Sequence, residues 1–165
     1  MKKFTVFAAI LAVALCCLAL GGCGTDDIDI SSYAGEEIVL GGIEEEEQTV
    51  TIADLKNMDC RTLRTHSTSD KIGNVKATGP ELGTILEKYG LTKDDVDKVV
   101  FHGDDDYEVP LTGDYVREHD IYLAFGIDGE PLDAESAPCR VIIPESDSAY
   151  WIRMVNVIDF VIDRD

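Results

Sequence analysis

The clearest pattern of apolar and polar positions lies in the last third of the chain. Residues 121–127 are rich in aromatic and β-branched side chains, and Asp128-Gly129 follows them as a strong turn signal. Residues 140–143 resume the apolar run before Pro144 ends it. The pattern predicts two buried strands at the centre of a sheet. The segment between them is too long for a tight hairpin, so it predicts a loop of the kind that often carries binding groups.

The other apolar runs from residue 48 onwards predict further strands and short helices. Strands are predicted over residues 48–52, 60–66, 75–77, 98–102, 107–111 and 152–162. Short helical turns are predicted over residues 53–58 and 113–119. A longer amphipathic helix is predicted with Pro80 in its first turn and Gly90 at its end. Residues 48–165 are therefore predicted to form one mixed α+β domain around a single core.

The first 23 residues have the pattern of an export signal. Lys2-Lys3 precede an apolar run over residues 4–20, and the run ends in Leu20-Gly21-Gly22-Cys23. A cysteine directly after small residues resembles a bacterial lipobox, so residues 1–22 are predicted to be a lipoprotein signal peptide and Cys23 the site of lipidation. The alternative is a transmembrane anchor, but the run is at the short end of the spanning range and no stop-transfer charges follow it.

A second N-terminal segment, residues 23–47, is acidic and contains no base. Gly35, Gly41 and Gly42 interrupt it, and residues 44–47 are four consecutive glutamates. Such a composition predicts a flexible tether that holds the folded domain away from the membrane. Binding of calcium or of a basic partner is the alternative interpretation of the same acidic residues.

The charge of the whole chain limits its partners. The chain has 33 acidic and 14 basic residues and a net charge of −19. A surface of this kind repels nucleic acid and anionic lipid headgroups. The sequence therefore predicts no nucleic-acid partner, and it predicts a membrane contact through the lipid anchor, on the outer face of the bacterial cytoplasmic membrane or at the cell surface.

The predicted central strands carry a motif with a defined order. Its residues are Leu123-Ala124, Gly129, Pro131-Leu132, Ala137-Pro138, Arg140 and Pro144. Together with Thr78-Gly79 upstream, this order and spacing resemble the molybdopterin-binding domain of sulfite-oxidase-type oxidoreductases, over about residues 48–163. The resemblance implies a mixed-sheet, sulfite-oxidase-like fold, a molybdopterin cofactor and oxidoreductase chemistry.

Several positions depart from the pattern of that family. The family binds molybdenum through a cysteine thiolate, which is expected here near His66 or Ser67, whereas Cys60 lies at the other end of the predicted strand. Neither an imidazole nor a hydroxyl replaces a soft thiolate ligand. Glu135 and Ser136 stand where the family has histidine and glycine. The resemblance retains Arg140, and Arg153 lies near the position of the family's lysine.

A cluster of bases suggests where a ligand would bind. Five bases lie within residues 56–76 of this acidic chain: Lys56, Arg61, Arg64, Lys71 and Lys76. Period-two alternation places Arg64 and His66 on one face of their strand. We therefore predict a site for a small anionic ligand formed by Arg64, His66, Arg140 and Arg153. The alternative is that these bases neutralise neighbouring carboxylates. His102, His119 and residues 104–106 lack metal-ligand spacing, and no metal site is predicted.

Two questions remain open at the level of sequence. Cys60 and Cys139 could pair in an oxidising compartment or stay free, and only geometry decides between these states. The predicted function is a lipid-anchored extracytoplasmic module that binds a small anion or cofactor, or that assists a redox or membrane protein partner. The alternatives are a molybdopterin-dependent oxidoreductase and a structural interaction module with an empty cleft, so the sequence leaves catalysis undecided.

Overall fold

The computed structural model describes residues 27–69 and 72–163, so the predicted signal peptide and Cys23 lie outside the described residues. The first six strands are β1 (Glu37–Gly41), β2 (Gln48–Thr51), β3 (Cys60–His66), β4 (Asn74–Pro80), β5 (Val96–Gly103) and β6 (Glu108–Thr112). The last five are β7 (Tyr122–Ala124), β8 (Gly126–Ile127), β9 (Glu130–Pro131), β10 (Arg140–Ile142) and β11 (Val155–Ile162). The helices are α1 (Ile52–Lys56), α2 (Leu82–Lys88) and α3 (Gly113–Glu118).

The largest sheet has five strands in the order β2-β1-β11-β5-β6. Strands β1 and β11 run parallel, whereas the other neighbouring pairs are antiparallel, so the sheet is mixed. Its central strands bury one face through Val99 and Phe101 of β5 and through Ile158 and Phe160 of β11. This alternation of buried and exposed side chains is what a half-buried strand requires.

The remaining strands form a four-stranded sheet, β3-β4-β8-β9, and a two-stranded sheet, β10-β7. The apolar run over residues 121–127 therefore divides at Phe125 between two sheets. The prediction that this run forms one strand at the centre of a sheet is wrong, although Ile121 and Leu123 are fully buried as predicted. An apolar run reports burial, and it does not report which strands pair.

The three helices are short, and the side chains of Thr51 and Thr112 cap the N-termini of α1 and α3. Thr51 accepts a hydrogen bond from the backbone N–H of Asp54, and the Asp54 carboxylate accepts from the Thr51 backbone N–H at 3.0 Å, which forms a capping box at α1. Helix α2 packs its buried leucines and isoleucine against the sheets. The prediction that Pro80 opens this helix is wrong: Pro80 ends β4 opposite Cys60, because proline is also tolerated at the end of a strand.

The structure of the acidic segment before residue 48 differs from the predicted flexible tether. Ile28, Ile30, Tyr33 and Leu40 are buried in the core, and β1 lies inside the large sheet between β2 and β11. Only three consecutive apolar residues, Ile38, Val39 and Leu40, form β1 in this acidic segment, so the composition hides a strand that pairs with the far end of the chain. The described part of the segment thus belongs to the domain, and its exposed glutamates, residues 44–47, form a surface loop.

Across the described ranges, residues 27–69 and 72–163, none of the helices has the length and apolar character needed to cross a membrane.

Candidate functional site

Two arginines lie side by side where β10 meets the segment that precedes β11. The backbone N–H of Val141 donates to the Ile152 carbonyl at 2.9 Å, and the N–H of Val155 donates to the Cys139 carbonyl at 2.9 Å. These bonds hold Arg153 beside Arg140. Both side chains line one cavity of about 360 Å³, together with Ile72, Asp133, Ser136, Ser148 and Trp151. We call this space the Arg140 cavity.

Arg140 occupies an unusual environment within this cavity. Its Nε atom is buried and has no hydrogen-bond partner among the described residues. Burial, followed by the like charge of Arg153, lowers the pKa of Arg140, whereas the nearby Asp133 carboxylate acts in the opposite direction. The guanidinium is therefore a partly desolvated cation beside a second cation, and its Nε has no hydrogen-bond partner among the described residues.

The Trp151 ring contacts the Arg140 guanidinium. The Arg140 guanidinium carbon lies 6.0 Å from the centroid of the Trp151 ring, within the range of a cation–π contact. The indole N–H donates to the Ile143 carbonyl at 2.8 Å and to Ser146 Oγ at 3.1 Å. The side chain is only 3% exposed. Trp151 is thus a core residue that also forms one wall of the cavity.

The rim of the cavity carries negative charge. Arg153 Nη1 lies 3.7 Å from Glu135 Oε2, and both side chains face solvent, so this ion pair is weak. Asp133 accepts a hydrogen bond from the Glu135 backbone N–H through Oδ1 at 3.2 Å. The loop before β10, which the sequence predicted to carry binding groups, therefore presents two carboxylates and the buried Ser136 next to two guanidinium groups.

Arg64 and His66 lie elsewhere. They line a second cavity of about 330 Å³ on the β3–β4 hairpin, together with Asn74, Lys76 and Asp128. The two cavities have no lining residue in common, so the structure does not bring Arg64 and His66 together with Arg140 and Arg153 as predicted. Alternation along a strand fixes which residues share a face, but the packing of separate sheets decides where that face points.

Both described cysteines are free and buried. The Cys60 thiol donates a hydrogen bond to the Leu55 carbonyl at 3.1 Å, and burial raises the pKa of this thiol to about 11. Cys139 is fully buried, and desolvation raises its pKa well above the ordinary value. Neither thiol lines the Arg140 cavity. The open question of a disulfide is thereby answered: the two thiols are separate core residues.

The end of β3, where the resemblance places a metal-binding thiolate, carries hydroxyl groups that are already engaged. Ser67 Oγ donates to the Ser146 carbonyl at 3.1 Å and accepts from the Ser69 backbone N–H at 3.1 Å. Thr65 is also buried, whereas His66 is exposed. Within residues 27–69 and 72–163, no cluster of His, Cys, Asp and Glu side chains has the arrangement of a metal site.

Sequence reasoning did not assign to a site five of the residues that line the cavity: Ile72, Asp133, Ser136, Ser148 and Trp151. Asp133 lies in the loop that was predicted to hold binding groups, and an Asp there is a turn signal, because its side chain can accept the backbone N–H two residues on. Ser148 has no comparable signal, because it reaches the cavity through the three-residue turn Ser148–Tyr150 that precedes Trp151.

A comparison with protein families decides the relationship suggested by the fold. The family model described as "Oxidoreductase molybdopterin binding domain" matches residues 36–164. The chain belongs to this family. The matched range begins at Glu36, just before β1, and this start agrees with the inclusion of β1 in the domain. The predicted α+β, sulfite-oxidase-like fold is confirmed.

Solved structures agree on the fold. The sulfane dehydrogenase SoxCD from Paracoccus pantotrophus is similar with a TM-score of 0.66 and 18% sequence identity, over 78% of this chain and 38% of that chain. At this identity the likeness concerns the fold alone, and this chain spans less than half of the length of the SoxCD chain. A comparison with curated protein sequences finds no match.

The residues present do not fit the metal-bearing cofactor that the family name implies. A molybdenum centre of this kind needs a soft thiolate ligand. In the part of the chain that the structure describes, both thiols are buried in the core, and the hydroxyls at the end of β3 are bound to backbone groups. Arg140 and Arg153, the bases that the resemblance retains, line one cavity, whereas neither of the described thiols lines it.

Proposed function

We propose that this protein is a lipid-anchored, extracytoplasmic member of the molybdopterin-binding family that binds a small anionic ligand at Arg140 and Arg153 without molybdenum chemistry. The observation that carries the proposal is the pair of guanidinium groups, those of Arg140 and Arg153, that line one cavity. Burial and the like charge of Arg153 both lower the pKa of Arg140. Two neighbouring cations in a partly desolvated site favour a ligand of opposite charge.

The energetics of the cavity favour an anion. Two neighbouring guanidinium groups repel each other, and burial disfavours the charged form of Arg140. An anion between Arg140 and Arg153 offsets both effects. Each charge-assisted hydrogen bond that it accepts contributes about 1.5–3 kcal/mol when it is shielded from water. The Trp151 ring holds Arg140 in place before the ligand arrives, so little side-chain ordering is needed.

The sequence and charge of the protein support the proposed location. Leu20 to Cys23 resemble the lipobox pattern, and the net charge of −19 disfavours direct contact with anionic headgroups. A lipid anchor supplies membrane contact for such a domain, and stable anchoring requires more than one acyl chain. A ligand-binding domain in this position would meet solutes outside the cytoplasm, or it would assist a redox or membrane protein that lies beside it.

Calorimetric titration of the full-length protein in detergent tests the binding proposal. We expect acetate, sulfate or phosphate to bind to the wild type with an affinity that falls as salt increases. Arg140→Ala should abolish binding, whereas the matched variant Arg64→Ala, in the other basic cavity, should leave it unchanged. Equal affinities for wild type and Arg140→Ala would remove the proposed site. The absence of any bound anion would favour a purely structural module.

Family membership supports a second candidate function, a molybdopterin-dependent oxidoreductase. Elemental analysis of the full-length protein, purified from its native host, separates the two candidates. The buried thiols lead us to expect no stoichiometric molybdenum. One molybdenum atom per chain would establish the oxidoreductase candidate and would show that a ligand other than these thiols holds the metal.

A further inference from the structure

We infer that the ligand of the Arg140 cavity is a small zwitterion, namely an α-amino acid with an apolar side chain. The inference rests on the proposed function and narrows it to one chemical class. It uses three parts of the cavity wall that a simple anion leaves unexplained: the carboxylate of Asp133, the apolar surface of Ile72 and Trp151, and the acidic rim at Glu135.

The charges of the cavity select against a doubly charged anion. Two guanidinium groups line the space, and Asp133 lines it with them. Asp133 is close enough to Arg140 to act on its ionisation against the effect of Arg153. The second carboxylate, that of Glu135, lies 3.7 Å from Arg153. Both carboxylates would repel a phosphate or sulfate dianion placed between the arginines. A ligand with one carboxylate and one cationic group can pair with the arginines and with the carboxylates at the same time.

Asp133 is held in a fixed orientation by its own loop. Its Oδ1 accepts the Glu135 N–H at 3.2 Å, and its backbone carbonyl accepts the N–H groups of Ser136 at 3.0 Å and Ala137 at 2.8 Å. The turn therefore presents one carboxylate oxygen to the backbone and leaves Oδ2 for another donor. An ammonium group next to a ligand carboxylate would be such a donor, and it would approach while the carboxylate reaches the guanidinium groups.

The rest of the wall suits an apolar side chain. Ile72 is half-buried and packs against the core, and the Trp151 ring is almost completely buried beneath Arg140. The cavity volume of about 360 Å³ lies at the small end of ligand sites in proteins. This size accommodates an amino acid. Ser136 and Ser148 add hydroxyl groups that can bond to the ligand carboxylate.

Calorimetry on the full-length protein in detergent, with four probes, tests this inference. The probes are leucine, 4-methylpentanoate, 3-methylbutylamine and inorganic phosphate, which differ in the charges that they carry on similar or smaller frames. We expect leucine to bind about two- to fivefold more tightly than 4-methylpentanoate, because one exposed ion pair contributes that much. The amine should not bind, and phosphate should bind more weakly than leucine.

Two variants make the test specific to the Asp133 charge. Asp133→Asn keeps an oxygen that accepts the Glu135 N–H, so the turn is preserved while the charge is lost. It should lower the affinity for leucine to that for 4-methylpentanoate and should raise the affinity for phosphate. Asp94→Asn makes the same charge change at an exposed position outside the cavity, and it should have no effect.

The outcomes separate this inference from the proposed function. The inference of a zwitterionic ligand is wrong if leucine binds no more tightly than 4-methylpentanoate, or if Asp133→Asn behaves like Asp94→Asn. In either case the Arg140-dependent binding of simple anions still stands. If none of the four probes binds, both the inference and the proposed anion site are overturned.

Discussion

The guanidinium carbon of Arg140 lies 6.0 Å from the centroid of the Trp151 ring, and the indole N–H of that ring donates to the Ile143 carbonyl and to Ser146 Oγ. The tryptophan is therefore held in the core by its N–H, and its ring contacts the arginine. Arg140 in turn is held in the cavity with a buried Nε that has no partner among the described residues. Such an arrangement prepares a binding site at a cost in stability.

Replacing Arg140 should reveal that cost. Arg140→Met keeps the length and the contact with Trp151 but removes a desolvated cation, so we expect the free energy of unfolding to rise by about 1 kcal/mol. Arg153→Met is the matched control, because Arg153 is 45% exposed, and its change should stay within about 0.5 kcal/mol. Urea unfolding measures both. A destabilised Arg140→Met would show that Arg140 serves packing or structural hydrogen bonding.

The buried hydroxyl of Tyr33 ties the N-terminal segment to the cavity loop. It accepts the Leu132 backbone N–H at 2.8 Å and donates to the Phe125 carbonyl at 2.7 Å. Tyr33→Phe leaves both backbone groups unbonded in the core, so we expect a loss of about 2–4 kcal/mol of stability. Tyr107→Phe is the control, because that ring is 47% exposed. Similar losses in the two variants would show that residues before 36 are not part of the folded unit.

Alkaline pH should weaken the fold through the buried thiols. The pKa of Cys60 is raised from 9.0 to about 11, so between these values the unfolded chain releases a proton that the folded chain retains. The contribution of this thiol to the free energy of unfolding is therefore fully present below pH 9. It falls as pH rises towards 11, by at most about 1.4 kcal/mol per pH unit. Cys60→Ser should reduce the slope of unfolding free energy against pH. An unchanged slope would mean that Cys60 ionises freely in the folded state.

The lipid anchor is tested at Cys23, which follows Leu20, Gly21 and Gly22. Cys23→Ser should prevent lipidation and cleavage of the signal, so the chain should keep its leader and gain no acyl mass. Mass spectrometry and membrane fractionation in the native host measure both effects. If the variant has the mature mass and membrane fraction of the wild type, Cys23 is not the anchor.

Local patterns predicted individual strands well where their neighbours in the sheet follow closely along the chain. Strand β3 has the predicted bounds, Cys60–His66, because a polar turn and the partner strand β4 come next. Strand β1 was missed because its parallel partner is β11, at the far end of the chain. Its apolar residues are few and lie among acids, so tertiary pairing overrides the tether-like composition.

The candidate site was predicted in part for a similar reason. The resemblance retained Arg140 and Arg153, and the structure places them in one cavity. Arg64 and His66 share a strand face as the alternation requires, yet that face forms another cavity, because the relative placement of two sheets is not encoded in the period of either strand. The unbonded Nε of Arg140 depends on packing in three dimensions, and no sequence pattern reports it.

The most direct test of the anion site observes the Arg140 Nε–Hε group itself. In the full-length protein in detergent, arginine side-chain ¹⁵N–¹H spectra recorded during titration with acetate or leucine should show one saturable shift, assigned by its absence in Arg140→Lys. We expect a downfield proton shift as the Arg140 guanidinium binds the ligand. An Arg140 signal that stays constant up to millimolar ligand, while other arginine signals move, would contradict it.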